Sequence, residues 1–346
     1  MTSLLFSLMF YIGSATPSDS TDQTIQQFLL KHRFPTNTQF AIALVSDQET
    51  RYVGYKVQGD SCSAVSNHQA IFEIGSITKV LTSSVLAHFI EHQSLDSKAS
   101  IQSVFPYTFH KNQRITWEKL ANHTSGLPRL PNNMGFVSTQ NPYRKYGKEA
   151  LDQYLSQLMR LPADSTPTLR YSNLGAGVLG HALSLHAGKS LSQLYAKIIF
   201  QPLGMTRTYT SPQAIPGDLV LGLNEKGEIF PNWDFDVLLG AGGILSSVED
   251  IARFAQAQWS NQHPFLLRTH LPTHRINEKQ AIGLGWFINY HPKGEALLWH
   301  NGGTGGYGSF MVVNLEKKKA AVILSNVSGL SSKRDLVDQL GLTLLK

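Results

Sequence analysis

The sequence of 346 residues contains a single cysteine, Cys62, so it can form no internal disulfide and offers no pair of thiolates for a zinc ion. It has no apolar segment long enough to span a bilayer. The G-x-S-x-G motif of α/β-hydrolase esterases is missing. The formal net charge is +6, but the lysines and arginines are scattered, and no basic stripe interleaves with aromatic residues. We therefore expect no stable membrane span and no nucleic-acid partner.

The first fifteen residues differ from the rest of the chain. An apolar stretch from Leu4 to Tyr11 is followed by small residues that end at Ala15, which is typical of a signal peptide and its cleavage site. The segment before this stretch carries no Lys or Arg, and the alternative is an ordinary disordered terminus. We interpret residues 1–15 as a signal peptide cleaved near Ala15, so that the protein is periplasmic or secreted.

Strand-like segments occur at both ends of the chain and helical segments in the middle. Residues 39–57 predict two strands, and the C-terminal part has four more strand-like runs, LGWFINY, EALLWH, SFMVVNL and KAAVILSN, before a closing helix. Most of residues 76–260 have helical periodicity. This order predicts an α/β (α+β) fold. In this predicted fold, residues 20–70 and 280–346 would form one antiparallel sheet flanked by helices, and residues 71–279 would form an inserted, mainly helical region.

The helix predicted to begin at Ser76 carries a lysine among apolar residues. Ser76 and Lys79 are i, i+3 neighbours on its first turn, and the residues that follow are apolar on nearly every side. An ammonium group is costly to bury unless it is paired or neutralised. Nucleophile activation would explain it, because Lys79 can accept or steer the Ser76 proton at the positive end of the helix. The alternative is a snorkelling lysine next to an N-capping serine.

A second pair of polar residues, Tyr171 and Asn173, precedes another predicted helix. Tyr171 can serve as a general base or proton relay if a nearby ammonium lowers its pKa from about 10. Asn173 can orient Lys79 and donate to a substrate carbonyl. Taken alone, the pair also fits a buried tyrosine followed by an N-cap asparagine.

The stretch HNGGTGGYG, residues 300–308, contains the G-x-G-x-x-G spacing of dinucleotide-binding loops. The segment that follows is strand-like, whereas a pyrophosphate needs a helix N-terminus, so no cofactor is expected. We interpret the glycines as the bare rim of an edge strand on which a substrate backbone can lie. On such a strand His300 and Gly302 point the same way, so the His300 side chain would face the substrate.

Three short motifs resemble, in their order, those of the class C β-lactamases and related penicillin-binding-protein-like serine hydrolases. They are Ser76-Ile-Thr-Lys79, Tyr171-Ser-Asn173 and His300-Asn-Gly302. Four longer stretches fit the same family pattern: LANHTSGLPRLP, IFQPLGMTRT, GAGGILSSVEDIARF and HNGGTGGYGSF. The resemblance runs from about Phe72 to Asn326. It implies one catalytic domain with a β-lactamase/transpeptidase-like fold and a site in the cleft between sheet and helices.

The resemblance also implies a role for each motif residue. Ser76 would be the acylated nucleophile, while Lys79 and Tyr171 share the proton transfers, and either of the two can be the general base. The backbone N–H groups of Ser76 and Gly303 would form the oxyanion hole. The substrate-binding residues would be Asn173, His300, Gly302 and Gly303.

Two positions depart from the lactamase pattern. His300 stands where the lactamases usually carry lysine, and Arg129 and Leu130 follow the GLP sequence in a region that often supplies a glutamine. Family members with histidine at the first of these positions include D-aminopeptidases and esterase-like enzymes. We therefore expect a serine hydrolase that forms an acyl-enzyme with an amide or ester, without a cofactor or metal ion. Its substrate would be a D-amino-acid peptide, cleaved in the manner of a carboxypeptidase or aminopeptidase, or a β-lactam.

Two alternative functions have some support in the sequence. A penicillin-binding sensor or pseudoenzyme without efficient turnover would carry the same motifs, because deacylation depends on placing one water molecule. The segment HFIEH at 88–92 matches the H-x-x-E-H pattern of zinc peptidases, with His88 and His92 on one helix face. These histidines lie away from Ser76 and Lys79 on the helix, so surface histidines near a helix C-terminus are the simpler interpretation.

Overall fold

The computed structural model describes residues 20–135, 140–162, 168–291 and 294–345, and the predicted signal peptide at 1–15 lies outside them. Among the described residues, no helix is both long and apolar enough to cross a membrane. The helices are α1 (Ser20–His32), α2 (Thr78–Glu91), α3 (Trp117–Ala121), α4 (Lys148–Gln153), α5 (Asn173–Ala187), α6 (Leu191–Tyr195), α7 (Val248–Ala257), α8 (Pro264–Thr269) and α9 (Arg334–Leu344). The strands are β1 (Gln39–Val45), β2 (Thr50–Gln58), β3 (Ser61–Ala64), β4 (Phe72–Glu73), β5 (Thr208–Tyr209), β6 (Gly222–Leu223), β7 (Ile229–Phe230), β8 (Leu245–Ser246), β9 (His274–Asn277), β10 (Gln280–Ile282), β11 (Phe287–Tyr290), β12 (Ala296–Gly303), β13 (Gly308–Asn314) and β14 (Lys319–Ser325).

A nine-stranded sheet joins the two ends of the chain, in the order β3-β2-β1-β14-β13-β12-β11-β10-β9. Its two halves meet where β1 pairs antiparallel with β14, from Phe40 opposite Ser325 to Val45 opposite Ala320. The predicted fold, with an antiparallel sheet built from both ends and a mainly helical region between them, is therefore confirmed. The sheet also includes β9, which lies before the expected boundary at residue 280.

Both faces of the central strands are buried. Phe40 and Ile42 of β1 belong to an apolar cluster with residues of α1 and α9, whereas Ala41 and Ala43 point the other way, into the cluster that contains α2 and α7. Helix α7 packs directly on β1 and β14. Because helices cover the sheet on both sides, β13 and β14 are apolar along most of their length instead of alternating with polar residues.

Helix α2 lies at the centre of the helical region. Every residue from Thr78 to Ala87 is buried, and the helix contacts α5 and α8 as well as the turn before it. A helix that is apolar on all sides is stable only when it is covered on all sides. The consequence is that Lys79, on its first turn, is only 2% exposed.

The strand that carries residues 300–303 is not an edge strand, contrary to the sequence-based interpretation. Strand β12 pairs with β13 from Leu297 to Gly303, but with β11 only from Ala296 to Trp299. From residue 300 onward, the side of β12 that faces away from β13 therefore has no strand partner. We call this part, residues 300–303, the free edge of β12.

The glycines at the free edge admit neighbouring protein backbone. A Cβ built at Gly302 would lie 2.1 Å from the Ile74 carbonyl oxygen, and one at Gly303 would lie 2.9 Å from Gly329 Cα. Both distances are shorter than real Cβ contacts, so glycine is what lets β12 pack on the segment before α2 and on the loop after β14. The interpretation that these positions stay bare for a substrate is wrong in this respect.

We predict that Gly302→Ala lowers the free energy of unfolding by about 2 kcal/mol or more, because the new Cβ has to displace the Ile74 carbonyl or β12 itself. Gly147→Ala is the control. Its Cβ would first meet the end of the Asp236 side chain, at 3.2 Å, and we expect a loss of at most about 1 kcal/mol. Urea denaturation compares the two, and equal losses would contradict the packing role assigned to Gly302.

Candidate active site

Ser76 lies in a short 3₁₀ turn, Gly75–Ile77, that leads into α2. Gly75 has a φ of +49°, in the left-handed region that glycine adopts without strain. A Cβ at Gly75 would also lie 2.6 Å from the backbone nitrogen of Gly303, too close for any side chain. The turn therefore holds the partly exposed Ser76 side chain beside the free edge of β12.

Lys79 is in direct contact with the Ser76 hydroxyl. Its Nζ donates to Ser76 Oγ at 2.8 Å and to the Ala241 carbonyl oxygen at 2.6 Å. Burial lowers the pKa of Lys79 well below its ordinary value, and the charge of Arg129 lowers it further. A neutral Nζ can accept the Ser76 proton across the contact it already makes.

The Tyr171 ring lies next to Lys79 and Arg129. Lys79 Nζ is 4.9 Å from the ring centre and the Arg129 guanidinium carbon is 5.4 Å from it. Burial raises the pKa of Tyr171 above its ordinary value, although a hydrogen bond with Ser76 and the charge of Arg129 oppose the rise. The condition for Tyr171 to act as a base, a pKa lowered by a nearby ammonium, is not met, because loss of hydration is the larger effect. Tyr171 is therefore a neutral phenol that can donate or relay a proton.

The turn before α5 shows which residue caps the helix. The cap is Ser172, whose Oγ accepts the Gly175 N–H at 2.7 Å, and Asn173 is the first helical residue. Asn173 Nδ2 donates to the Tyr143 hydroxyl at 2.7 Å, while its Oδ1 is buried and has no hydrogen-bond partner among the described residues. The sequence analysis allowed Asn173 to orient Lys79, but among the described residues no hydrogen bond joins the two side chains. Its Oδ1 is free to accept an N–H from a substrate amide.

His300 is buried behind the site and does not face the cavity in front of Ser76. Its side chain is 1% exposed, its Nδ1 lies 2.6 Å from the Asn301 carbonyl oxygen, and its Nε2 has no partner within the described chain. Burial lowers the pKa of His300 to about 3, and the charge of Lys79 acts in the same direction. An uncharged, buried imidazole cannot attract a substrate carboxylate. The expectation that His300 faces the substrate therefore does not hold in this structure.

A second buried histidine, His123, was not among the residues predicted from the sequence. Its ring centre lies 4.4 Å from that of Tyr171, and its Nδ1 accepts the Ser172 N–H at 3.3 Å. Burial lowers the pKa of His123 well below its ordinary value, and the other basic groups of the site lower it further. In the sequence it appears only within the stretch LANHTSGLPRLP, where nothing local distinguishes it from a core histidine.

The predicted oxyanion donors belong to two segments in direct contact. A Cβ at Gly302 would lie 2.9 Å from the Ser76 nitrogen, and one at Gly75 would lie 2.6 Å from the Gly303 nitrogen. The backbone of the nucleophile turn and the free edge of β12 therefore meet beside Ser76 Oγ. Two N–H donors of one oxyanion hole have to lie this close together, and the assignment of the Ser76 and Gly303 N–H groups to that role stays a prediction.

Ser76 opens into a cavity of about 450 Å³, which we call the active-site cavity. Its volume suits a short peptide or a molecule of similar size. Its apolar lining consists of Leu130, Pro142, Tyr143, Trp233, Phe287, Trp299 and Leu330. Its polar and charged lining includes Arg129, Tyr171, Asn173, Asn301, Arg334 and Asp338.

A larger cavity of about 700 Å³ lies elsewhere on the molecule. Its lining is mostly polar, with the carboxamides of Asn37, Gln39, Asn67, Gln69 and Asn326, and contains none of the three motifs. We assign the active site to the smaller cavity, because there the hydroxyl, the amine and the phenol converge.

The two histidines of the HFIEH segment lie at the C-terminal end of α2. The His88 and His92 ring centres are 4.2 Å apart, and Glu91 is paired with Arg268 at 2.9 Å. In the part of the chain that the structure describes, no group of three or more His, Cys, Asp or Glu side chains is placed to hold a metal ion. The geometry thus gives no support to a zinc peptidase site at these histidines.

The family model described as Beta-lactamase matches residues 21–344. The chain is 25% identical to unguisins hydrolase ungD of Aspergillus violaceofuscus (strain CBS 115571), over 91% of this chain and 63% of that protein. It is 26% identical to the D-alanyl-D-alanine-carboxypeptidase/endopeptidase AmpH of Escherichia coli (strain K12), over 78% of this chain and 74% of AmpH. The chain therefore spans less than two thirds of the length of the fungal relative.

Solved structures share the fold. The crystal structure of Beta-lactamase/D-alanine carboxypeptidase from Yersinia pestis superposes with a TM-score of 0.75 at 22% identity, covering 94% of this chain and 100% of the other. This likeness confirms the β-lactamase/transpeptidase-like fold. The family match confirms the resemblance drawn from the three motifs.

We predict that Lys79→Met raises the free energy of unfolding at pH 7, by on the order of 2 kcal/mol, while abolishing acylation of Ser76. The pKa of Lys79 is lower in the folded chain than in the unfolded chain, where it is near 10.5. At pH values between these two pKa values, the unfolded chain therefore binds more protons than the folded chain. Wild-type stability therefore rises with pH in this window, and the advantage of the variant shrinks towards pH 10.

Denaturation at several pH values measures this difference. Lys318→Met, which removes an exposed lysine paired with Asp47, serves as the control and should show no such convergence. A stability difference between Lys79→Met and wild type that is constant from pH 7 to 10 would show that Lys79 is protonated in the folded protein.

Proposed function

Since the chain belongs to the beta-lactamase family and is a serine hydrolase of the β-lactamase and carboxypeptidase type, we propose that it cleaves short D-amino-acid peptides through an acyl-enzyme on Ser76. The observation that carries the proposal is the 2.8 Å contact between Ser76 Oγ and the buried Nζ of Lys79. Amides, esters and β-lactams all react by attack of such a hydroxyl on a carbonyl carbon, so the contact supports the reaction class.

Acylation starts with Lys79 as the general base. Neutral Nζ takes the Ser76 proton as Oγ bonds to the substrate carbonyl carbon, and the oxyanion is stabilised by the Ser76 and Gly303 N–H groups. When the carbon–nitrogen bond breaks, the Tyr171 hydroxyl gives its proton to the leaving amine. The Lys79 ammonium then returns a proton to the Tyr171 oxygen, and both groups are again neutral.

The pKa shifts support this division of roles. Lys79 is held towards its neutral form and Tyr171 towards its protonated form, each mainly by burial. In deacylation Lys79 acts on water. Nζ accepts a water proton as the water oxygen attacks the acyl carbon. The Lys79 ammonium then gives this proton to Ser76 Oγ as the bond between Oγ and the acyl carbon breaks, and the acid product leaves.

Three observations favour a peptide over a β-lactam. His300 is uncharged, so the free edge of β12 lacks the cation that the lactamases usually carry there. Asn173 Oδ1 and the free edge of β12 offer acceptors and donors for an extended backbone. Two relatives, AmpH and ungD, are named for hydrolysis of D-alanyl-D-alanine peptides and of unguisins.

We also propose that the protein works outside the cytoplasm. The support for this location is the apolar stretch from Leu4 to Tyr11 and the small residues that end at Ala15. Sequencing the N-terminus of the protein recovered after expression tests the cleavage, and an uncleaved terminus retained in the cytoplasm would contradict it.

The acyl-enzyme can be tested by intact-mass spectrometry. We predict that wild type gains the acyl mass of p-nitrophenyl acetate, of a D-Ala-D-Ala peptide or of a penicillin, and that Ser76→Ala gains none of them. Peptide hydrolysis should exceed one equivalent per protein, which separates an enzyme from a penicillin-binding sensor that acylates once. Adducts that persist in Ser76→Ala would refute the nucleophile assignment.

A further inference from the structure

The C-terminal helix α9 brings a carboxylate into the active-site cavity. Asp338 lines this cavity together with Ser76 and Gly303, and it is the one acidic side chain among the described lining residues. The helix reaches the site because it packs on β13 and β14, next to β12. The acylation chemistry proposed above gives Asp338 no part, so its presence in the cavity needs another explanation.

A strand residue holds Asp338 in place. Asn301 Nδ2 donates to Asp338 Oδ2 at 2.7 Å, which is the one hydrogen bond that the described residues give to this carboxylate. Because side chains alternate along β12, Asn301 points away from the His300 side and towards α9. The second oxygen, Oδ1, has no partner within the described chain, so the carboxylate is fixed in position with one oxygen still available.

Asp338 forms no ion pair among the described residues, although two arginines, Arg129 and Arg334, line the same cavity. The nearest cation on the helix, Arg334, pairs with Asp335 at 3.0 Å, and both of these side chains are exposed. Burial raises the pKa of Asp338 to about 6, the Asn301 hydrogen bond and Arg334 oppose this rise, and Asp335 adds to it. Above pH 6 the cavity therefore contains a partly desolvated carboxylate that forms no ion pair within the described chain.

Trp299 is a second residue of the cavity lining that favours a cation. Trp299 stands two residues before Asn301 on β12, so its side chain lies on the same face of the strand, and it lines the same cavity. The faces of aromatic rings attract ammonium groups, and the attraction increases as water is removed. Asp338 and Trp299 are therefore the lining groups suited to an organic ammonium ion, whereas Arg129 and Arg334 offer the same cavity positive charge for an anionic part of the substrate.

We propose that Asp338 binds the ammonium group of an amine-bearing substrate while Ser76 attacks the substrate carbonyl. This inference rests on the proposed function and narrows it, because it selects amides with a free amino group. Asn301 acts as a positioning residue, because it binds Oδ2 and leaves Oδ1 without a hydrogen-bond partner among the described residues. The substrate class is that of short peptides whose terminal or side-chain amine is unblocked.

The test compares two substrates that differ in one group. D-alanine p-nitroanilide carries an ammonium where isobutyric p-nitroanilide carries a methyl group, and the two are otherwise isosteric. We expect wild type to prefer the amine. We expect Asp338→Asn, which keeps an acceptor for Asn301, to lower the ratio of the two kcat/KM values about tenfold. Asp47→Asn, which removes an exposed carboxylate outside the cavity, should leave the ratio within twofold of wild type.

A second measurement does not depend on a variant that folds. Inhibition of wild-type p-nitrophenyl acetate hydrolysis by D-alanine amide should be stronger than inhibition by isobutyramide, and the difference should diminish as the pH falls below about 6. A ratio unaltered in Asp338→Asn, with acyl-enzyme formed from both anilides, would overturn this inference alone. Failure of every substrate to acylate Ser76 would overturn the proposed function, and this inference with it.

Discussion

The active site depends on keeping the Lys79 amine out of water beside the Ser76 hydroxyl. The two heavy atoms are 2.8 Å apart, and Lys79 is 2% exposed. The charged group beside them, Arg129, is a cation, so burial and electrostatics both favour the neutral amine. A group that ordinarily donates protons is thereby made into a base. The same loss of hydration keeps Tyr171 protonated, and the two groups thus acquire opposite roles.

The fold maintains this arrangement through close backbone contacts. Helix α2 is buried on all sides, which places its first turn beneath the sheet, and Gly75 and Gly302 allow that turn to touch the free edge of β12. Strand β11 ends its pairing at Trp299, so no strand pairs with that side of β12 from residue 300 onward. Since α9 packs across β13 and β14, the last helix of the chain contributes to a site whose nucleophile lies far away in sequence.

Much of this could be predicted from the sequence, because local patterns determine it. The alternation of apolar residues revealed the terminal strands, and an apolar helix around Lys79 revealed a buried amine. The direction of His300 could not be predicted. Alternation predicts that His300 and Gly302 share a face, but only the tertiary structure shows that the His300 side chain is buried and does not line the cavity. Asp338 could not be predicted for a similar reason. In the sequence it is an acidic residue on an amphipathic helix, like many exposed side chains, and only the tertiary structure shows its contact with Asn301.

The proposed mechanism requires that Lys79 is neutral in the folded protein, and this protonation state can be observed directly. Lysine labelled with ¹³C at Cε gives a resonance that shifts as the amine titrates, and comparison with Lys79→Arg assigns the signal of this residue. We predict that Lys79 titrates well below 10.5, the ordinary value for a lysine side chain. A Lys79 resonance that titrates together with the exposed lysines would show a protonated ammonium at neutral pH and would contradict its role as the general base.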